Sequence, residues 1–290
     1  MHIRQKKQFQ SSLPRHRQGG FTLVELMVGM VVASIVAVGV FATYRTTTQT
    51  VLTQRQVADI QQQMRGSQFV MEREIRAAGY DPEGVGTVAA PLGIQDIRRY
   101  SREAEPNPVG PAQLDPNGSP TLTINFDLNA DGVAEQSTYL VYDIDNNGIW
   151  DLARNSGAGF ELLAESVEEI GFAYAYDDNS DDAVDLSPND NIIWAVDSDN
   201  DNDLDLILDT NDDGSIDIAE VEAGGIGLVP NVPVDRIRMV RVWLLCRSTR
   251  TAKKAIIDTD RYLVGDRVVG PFNDTFRRRM LEMSIRIRNL

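Results

Sequence analysis

The chain has 290 residues, enough for one large or two modest domains, and a formal net charge of −15 from 28 basic and 43 acidic side chains. This balance argues against nucleic acid as a partner, because phosphate binding requires a basic face. The first 20 residues hold five basic side chains and both histidines, so the remainder has 23 basic and 43 acidic side chains, one cysteine and no histidine. That remainder excludes Ser-His-Asp and Cys-His catalysis, histidine-ligated zinc and disulfides within the chain.

An apolar run occupies residues 21–44 and contains one acidic side chain, Glu25. As a helix it would be about 36 Å long, enough to cross a bilayer core of about 30 Å. Basic residues precede it, which predicts a cytoplasmic N-terminus and an extracytoplasmic remainder. The small pair Gly19-Gly20 lies before the apolar run, whereas a secretory signal has its small-residue cleavage site after that run. Cleavage at this pair would therefore leave the helix on the mature protein.

The junction between the basic leader and the apolar run has the sequence GFTLVE, from Gly20 to Glu25. Together with the leader and the long apolar helix, this motif resembles the type IV prepilin superfamily. The resemblance implies a leader peptide of residues 1–20 and cleavage between Gly20 and Phe21 by a prepilin peptidase of the inner membrane. It also implies methylation of the new Phe21 amine and a role for Glu25 in assembly.

Glu25 is also a functional candidate on physical grounds. A carboxylate at membrane depth is costly unless it is paired, so such residues are rare outside functional sites. Glu25 lies one helical turn after Phe21, on the same face of the helix. The free amine of one helix can therefore pair with Glu25 of a neighbouring subunit, which is the use that the family makes of this position.

Beyond Tyr44 the chain becomes polar but keeps a helical pattern of apolar residues at spacings of three and four. This stripe consists of Val57, Ile60, Met64, Met71, Ile75 and Ala78. No proline occurs in residues 21–78, and Gly79 and Pro82 follow. We predict one continuous helix over residues 21–78, transmembrane over 21–44 and amphipathic over 45–78, with its stripe packed on a sheet.

Residues 79–290 are expected to form an extracytoplasmic, β-rich globular domain. Strand candidates are residues 93–97, 121–127, 137–142, 167–176, 192–196, 236–246 and 279–288. The run 234–244 alternates apolar and basic side chains, which predicts a strand with one solvent-facing side. The expected fold class is therefore α+β, with a long N-terminal helix packed on a mostly antiparallel sheet that carries Asp/Asn-rich loops.

Both ends of the mature chain also resemble minor pilins of the PilW type. The similar segments are residues 73–80, 236–245, 277–279 and 285–290. This resemblance implies assembly with other major and minor pilins through the N-terminal helix, first in the inner membrane and then in a pilus at the cell surface. A J-type pseudopilin of a type II secretion system has the same architecture, and a calcium-dependent adhesin displayed on a pilin stalk is a third interpretation.

Four acidic segments have Asp, Asn and Gly at alternate positions, near residues 127–151 and 197–220. They are residues 127–132, 143–148, 197–205 and 209–214. Alternate spacing directs several oxygens at one centre, and Ca²⁺ takes six to eight oxygen ligands in this manner. Solvated Asx turns that form without a metal are the alternative interpretation.

The fourth segment matches the whole calcium-loop template D-x-[DN]-x-[DN]-G-x₅-E. The predicted ligands, in loop order, are Asp209, Asn211, Asp213, the carbonyl of Ser215, Asp217 and Glu220. The first two segments lack the terminal glutamate and supply weaker candidates, namely Asp127, Asn129, Asp131, Asp143, Asp145, Asn147 and, as a completing ligand, Asp151. Because residues 197–205 are too acidic for a good entering helix, we expect an EF-hand-like loop without the standard helix pair.

Three smaller features complete the sequence-based expectations. Cys246 lies in an apolar strand and is expected to be a buried core residue. Residues 277–279 are three arginines, which either contact an acidic neighbour or form a solvated edge. The chain contains no phosphate loop, dinucleotide fingerprint or nucleophile motif, so we expect a non-enzymatic assembly component.

Overall fold

The computed structural model describes residues 20–82, 91–102, 114–251 and 257–289. All of the expected leader peptide except Gly20 lies outside the described residues. The chain divides into two compact units, residues 1–51 and residues 52–290.

One long helix, α1, spans Leu23–Ala77, within two residues of its predicted start and one of its predicted end. Gly79 follows with a φ of +79°, and the N–H of Tyr80 donates to the carbonyl of Ala77 at 2.9 Å. A glycine adopts this left-handed conformation without the steric cost that a side chain would add, so it terminates the helix.

Within the described residues, fifteen strands and a second helix follow α1. The strands are β1 Gly93–Asp96, β2 Arg99–Tyr100, β3 Ser119–Pro120, β4 Leu122–Phe126, β5 Glu135–Tyr142, β6 Asp151–Asn155, β7 Phe160–Ala164, β8 Val167–Tyr176, β9 Ala195–Val196, β10 Asp203–Ile207, β11 Ile226–Pro233, β12 Ile237–Arg247, β13 Tyr262–Val264, β14 Arg267–Val269 and β15 Arg278–Arg286. Helix α2, Ile218–Ala223, lies between β10 and β11.

The strands form two main sheets and two short hairpins. The first sheet has the order β1-β4-β5-β6-β7, the second has the order β11-β10-β9-β8-β12-β15, and the hairpins are β2–β3 and β13–β14. Every pair of neighbouring strands is antiparallel. The predicted α+β class, a long helix followed by a mostly antiparallel β domain, is confirmed.

The apolar stripe in the second half of α1 lies in the main core. Ile60, Met64, Met71 and Ile75 are buried and share one cluster with residues of both main sheets. Burying a large apolar side chain contributes about 1.5–3 kcal/mol, so this stripe is a substantial attachment of the helix to the sheets.

A buried carboxylate of α1 also forms hydrogen bonds with the first sheet. The side chain of Glu74 is 1% exposed, and its Oε2 accepts hydrogen bonds from the Tyr139 hydroxyl at 2.5 Å and from Arg154 Nε at 2.9 Å. Burial, followed by the negative charge of Glu74, raises the pKa of Tyr139 well above its ordinary value, so the hydroxyl remains a donor. This contact is absent from the sequence-based expectations because its three members are far apart in the chain.

The prediction of a solvent-facing side for residues 234–244 is wrong over the second half of β12. Alternate residues from Val242 to Cys246 face the main core, whereas Trp243 lies in a second buried cluster that also contains Trp194. Strand β12 is an interior strand between β8 and β15, and both of its faces are covered. Alternation in one strand does not reveal that a distant segment covers the other face.

The arginines at residues 277–279 have different environments, because successive side chains of a strand point to opposite faces. The side chain of Arg278 is 1% exposed and forms ion pairs with Glu168 at 2.7 Å, Asp258 at 3.0 Å and Asp274 at 2.7 Å. Arg279 is exposed. The two alternatives expected for these arginines therefore both occur, at neighbouring positions.

Several strands have no counterpart among the sequence-based expectations: β6, β7, β10, β11, and the strands of both hairpins. Strand β10 lies mostly within residues 197–205, where the density of aspartates indicates a loop. Its Leu204 is nevertheless buried in the main core between partly exposed aspartates. A single buried leucine is too weak a local signal to predict a strand.

Candidate functional site: the N-terminal segment and the acidic loops

The predicted processing residues lie at the start of α1. Gly20 and Phe21 precede the helix and are exposed, Phe21 by 89%. Glu25 lies in the first helical turn and is exposed too. The predicted cleavage bond and the predicted assembly carboxylate are therefore separated by about one helical turn.

Glu25 and Thr22 form a reciprocal cap at the start of α1. Glu25 Oε2 accepts hydrogen bonds from the Thr22 N–H and the Thr22 hydroxyl, both at 2.9 Å, while the Glu25 N–H donates to Thr22 Oγ at 3.2 Å. This is the capping box, which satisfies two backbone groups that a helix start otherwise leaves without partners. The capping box is absent from the sequence-based expectations, although its signature, a threonine followed three residues later by a glutamate, is present in the sequence. Glu25 thus has a local partner within its own chain.

A family model described as the prokaryotic N-terminal methylation motif matches residues 15–41. The chain carries the N-terminal segment of a type IV prepilin. This prepilin segment includes Gly20, Phe21 and Glu25, and it confirms the resemblance inferred from the junction sequence. Within the described residues, α1 is the one helix long and apolar enough to cross a membrane, which together with the motif is consistent with membrane anchoring.

No curated protein sequence matches the chain. Among solved structures, a type IV-like pilin from Thermus thermophilus is similar, with 15% sequence identity and a TM-score of 0.38. The similarity covers 79% of this chain and 96% of that chain. The assignment of the prepilin segment rests on the N-terminal motif.

Beyond the prepilin segment, five acidic loops share one backbone conformation. They are loop 1, residues 127–135; loop 2, residues 143–151; loop 3, residues 177–185; loop 4, residues 197–205; and loop 5, residues 209–217. The fourth and sixth positions of every loop have a positive φ, between +56° and +84°. The sixth position is glycine in loops 1, 2 and 5, where this conformation is least costly.

The first residue of each loop is an aspartate that closes the turn. One of its carboxylate oxygens accepts the N–H of the sixth position at 2.7–3.1 Å. The other accepts the N–H of the fourth or fifth position. These Asx-type bonds hold the five loops in one geometry.

Within the part of the chain that the structure describes, loop 4 brings three carboxylates together. Oxygens of Asp197, Asp199 and Asp201 lie within 4.8 Å of one another. Burial, despite two backbone hydrogen bonds, raises the pKa of Asp197 to about 6, and the charges of Asp201 and Asp205 act in the same direction. Residues 197–205 are one of the four expected acidic segments, but none of these three aspartates is among the ligands predicted from the sequence.

Loop 4 also joins the two main sheets. Asn200 Oδ1 accepts the N–H of Arg99 at 2.6 Å, and Asn202 Oδ1 accepts the N–H of Ile97 at 3.0 Å. Their amide groups donate in return to the carbonyls of Arg99 at 3.3 Å and Gln95 at 3.1 Å. Loop 4 lies between β9 and β10 of the second sheet, whereas Gln95 belongs to β1 of the first sheet. The conformation of this loop therefore affects how the sheets are held together.

In loop 5, the predicted terminal ligands take part in the N-cap of α2. Glu220 Oε1 accepts the N–H groups of Thr210 at 2.8 Å and Asn211 at 3.1 Å, and its Oε2 accepts the N–H of Asp217 at 3.0 Å. Asp217 Oδ1 accepts the N–H of Glu220 at 3.0 Å, which completes a capping box. Strand β10 enters this loop and a six-residue helix leaves it, in agreement with the expected loop without an EF-hand helix pair.

The other predicted ligands occupy the odd positions of their loops. They are Asp127, Asn129 and Asp131 in loop 1; Asp143, Asp145 and Asn147 in loop 2; and Asp209, Asn211, Asp213 and Ser215 in loop 5. Asp151, the proposed completing ligand of loop 2, accepts the N–H of Ser166 at 2.9 Å. Burial raises the pKa of Asp151.

Loop 3 is missing from the sequence-based expectations, and Asp182 stands at its sixth position, which is glycine in loops 1, 2 and 5. A better signal is the acid at the ninth position, which all five loops possess: Glu135, Asp151, Asp185, Asp205 and Asp217. In loops 1, 3 and 4 this acid accepts the N–H of the second position, at distances of 2.7–3.0 Å. The shared element is thus a nine-residue motif.

Proposed function

We propose that the chain is a minor type IV pilin of the PilW type, a structural subunit and not an enzyme. Prepilin peptidase cleaves it between Gly20 and Phe21 in the inner membrane, and the Phe21 amine is then methylated. The mature subunit enters a fibre through α1, where Glu25 pairs with the amine of a neighbouring pilin, and the β domain faces outward and helps to initiate or cap the pilus.

The observation that supports this role is the position of the methylation motif relative to the helix. The matched residues 15–41 end inside α1, and the same helix continues to Ala77, where its second half packs on the sheets. Cleavage before such a helix leaves a mature subunit that has a membrane segment joined to a folded domain. A subunit of this kind can be stored in a bilayer and then inserted among other helices.

Two measurements test the proposed role. Mass spectrometry of the mature chain should find N-methylated Phe21 as the first residue, and deletion of the gene should abolish surface pili and twitching motility. Loss of exoprotein secretion with intact pili would instead identify a J-type pseudopilin. An unprocessed chain, or a deletion that affects neither pili nor secretion, would contradict both roles.

We also propose that calcium stabilises the acidic loops of this subunit. Five loops with one geometry present carboxylates at alternate positions, and Ca²⁺ prefers such oxygen donors. Loop 5 supplies the predicted set Asp209, Asn211, Asp213, Ser215, Asp217 and Glu220. Loops 1 and 2 supply the weaker sets named above. A bound cation would offset the repulsion among these carboxylates.

Calorimetric titration of Ca²⁺ into the EDTA-stripped full chain tests the proposed loop 5 site. The double variant Asp209→Asn, Glu220→Gln is expected to lose one binding site. The control Asp190→Asn removes an exposed carboxylate outside the five loops and should leave the titration unchanged. Absence of calcium binding, or an unchanged number of sites in the double variant, would contradict calcium binding at loop 5.

A further inference from the structure

A groove with an apolar floor lies between the end of α1 and the last described residues of the chain. Its volume is about 670 Å³, and its floor includes Phe69, Tyr80 and Leu128, which are 68%, 37% and 48% exposed. The N–H of Arg288 donates to the carbonyl of Arg76 at 3.4 Å, so the two walls of the groove contact each other. Large apolar side chains gathered in an exposed groove are characteristic of a contact surface.

The walls of this groove are basic, although residues 21–290 carry a net charge of −20 from 23 basic and 43 acidic side chains. The groove and the pocket beside it are lined by five arginines and two acids, a net charge of +3; they are Arg73, Arg76, Arg238, Arg286 and Arg288, with Glu72 and Asp182. Among the described residues, neither Arg286 nor Arg288 forms an ion pair. A carboxylate from another molecule therefore meets little competition here.

Loop 1 lies beside the groove and has the complementary chemistry. Leu128 belongs to both the loop and the groove floor. Val133, 64% exposed, lies between Asp131 and Glu135 in the sequence. Loop 1 thus presents an exposed apolar side chain that has carboxylates on either side of it in the sequence, and this chemistry complements a groove lined by apolar side chains and arginines.

We propose that this face joins two copies of the chain around a two-fold axis. Val133 of each copy enters the groove of the other, and Asp131 of each copy pairs with Arg288 of the other. The groove and loop 1 adjoin on one face of the chain. A two-fold axis through this face therefore places loop 1 of each copy against the groove of the other, as in the isologous interfaces of most homodimers. The inference does not depend on the fibre role. Asp131 is also a proposed calcium ligand of loop 1, so the pairing is tested in the absence of metal.

Charge-swapped variants test the pairing. Sedimentation velocity is measured on the full chain in detergent micelles with EDTA, so that metal in the loops has no influence. Arg288→Glu and Asp131→Arg are each expected to weaken dimerisation about tenfold, and an increase from about 50 to about 500 mM NaCl should weaken the wild-type dimer. An equal mixture of the two variants should restore it, because both contacts of the mixed dimer again join opposite charges.

Two further variants show whether weaker dimerisation comes from loss of the proposed contacts and not from misfolding. Arg279→Glu changes an exposed arginine at the other end of β15 and should dimerise like the wild type. Val133→Ser removes the apolar contact without changing a carboxylate and should also weaken the dimer. A monomeric wild type, open oligomers larger than a dimer, an undiminished Arg288→Glu dimer, or a mixture no tighter than its components would overturn the proposal.

Discussion

At the residue scale, Glu25 combines a local role with its proposed role between subunits. Within the chain it caps α1 together with Thr22. The variant Thr22→Val removes the hydroxyl of the capping box and keeps the carboxylate, whereas Glu25→Leu removes the carboxylate. We expect both variants to be cleaved and methylated, but only Thr22→Val to be incorporated, because assembly requires the charge. Immunoblots that compare processed chain in membranes with sheared fibres measure this.

Normal incorporation of Glu25→Leu would refute the assembly role of the carboxylate. Equal loss of incorporation in the two variants would show that the cap at the start of the helix, and not the charge, limits assembly. The Glu25→Ala variant provides a second test with a smaller side chain and should behave like Glu25→Leu.

Cys246 illustrates a residue whose environment can be predicted from its neighbours in the sequence. It is buried in β12, and burial raises the pKa of its thiol to about 12. Because the thiolate is the reactive form, the native chain should resist iodoacetamide at neutral pH, whereas the chain unfolded in guanidinium chloride should be labelled completely. Mass spectrometry measures both. Rapid labelling of the native chain would contradict the buried position.

At the scale of secondary-structure elements, Glu74 should make a large contribution to the docking of α1. Removing one member of a buried ion pair leaves the other without compensation and typically costs about 3 kcal/mol. We expect Glu74→Ala to lower the free energy of unfolding by about this amount. The control Glu72→Ala removes a more exposed partner of Arg76 from the same helix and should cost less than about 1 kcal/mol. Denaturant titrations of both variants give the comparison, and equal losses would contradict a special role for Glu74.

Element types were predictable from the sequence where one periodicity extends over many residues. The stripe of α1 and the strand β8 are examples, since their patterns are long and uninterrupted. Strand β10 and the covered second face of β12 were not predictable, because they depend on residues that the fold brings from elsewhere. Loop 3 has the same alternate Asp and Asn residues and an acid, Asp185, at its ninth position, so its signal is present in the sequence.

At the scale of the whole molecule, the charge of −20 over residues 21–290 should make stability depend on ions. Added NaCl should raise the melting temperature modestly, because it screens repulsion among the loops. Calcium should raise it further than magnesium at the same concentration, since Mg²⁺ requires a stricter octahedral geometry. At a calcium concentration of about one hundred times Kd, a single site adds about 2.7 kcal/mol. Differential scanning calorimetry after EDTA treatment measures this, and equal melting temperatures with and without calcium would refute a structural calcium site.

The sequence by itself determined the prepilin segment, because its signal is contiguous: a basic leader, a short junction motif and an apolar run long enough for a bilayer. It also located four of the five acidic loops, whose alternate spacing is visible along the chain. The tertiary structure alone decided that Glu74 contacts Tyr139 and Arg154, that loop 4 links the two sheets, and that loop 1 lies beside a basic groove. Each of these features joins residues that are distant in sequence, so each depends on how the strands pair and on what covers their faces.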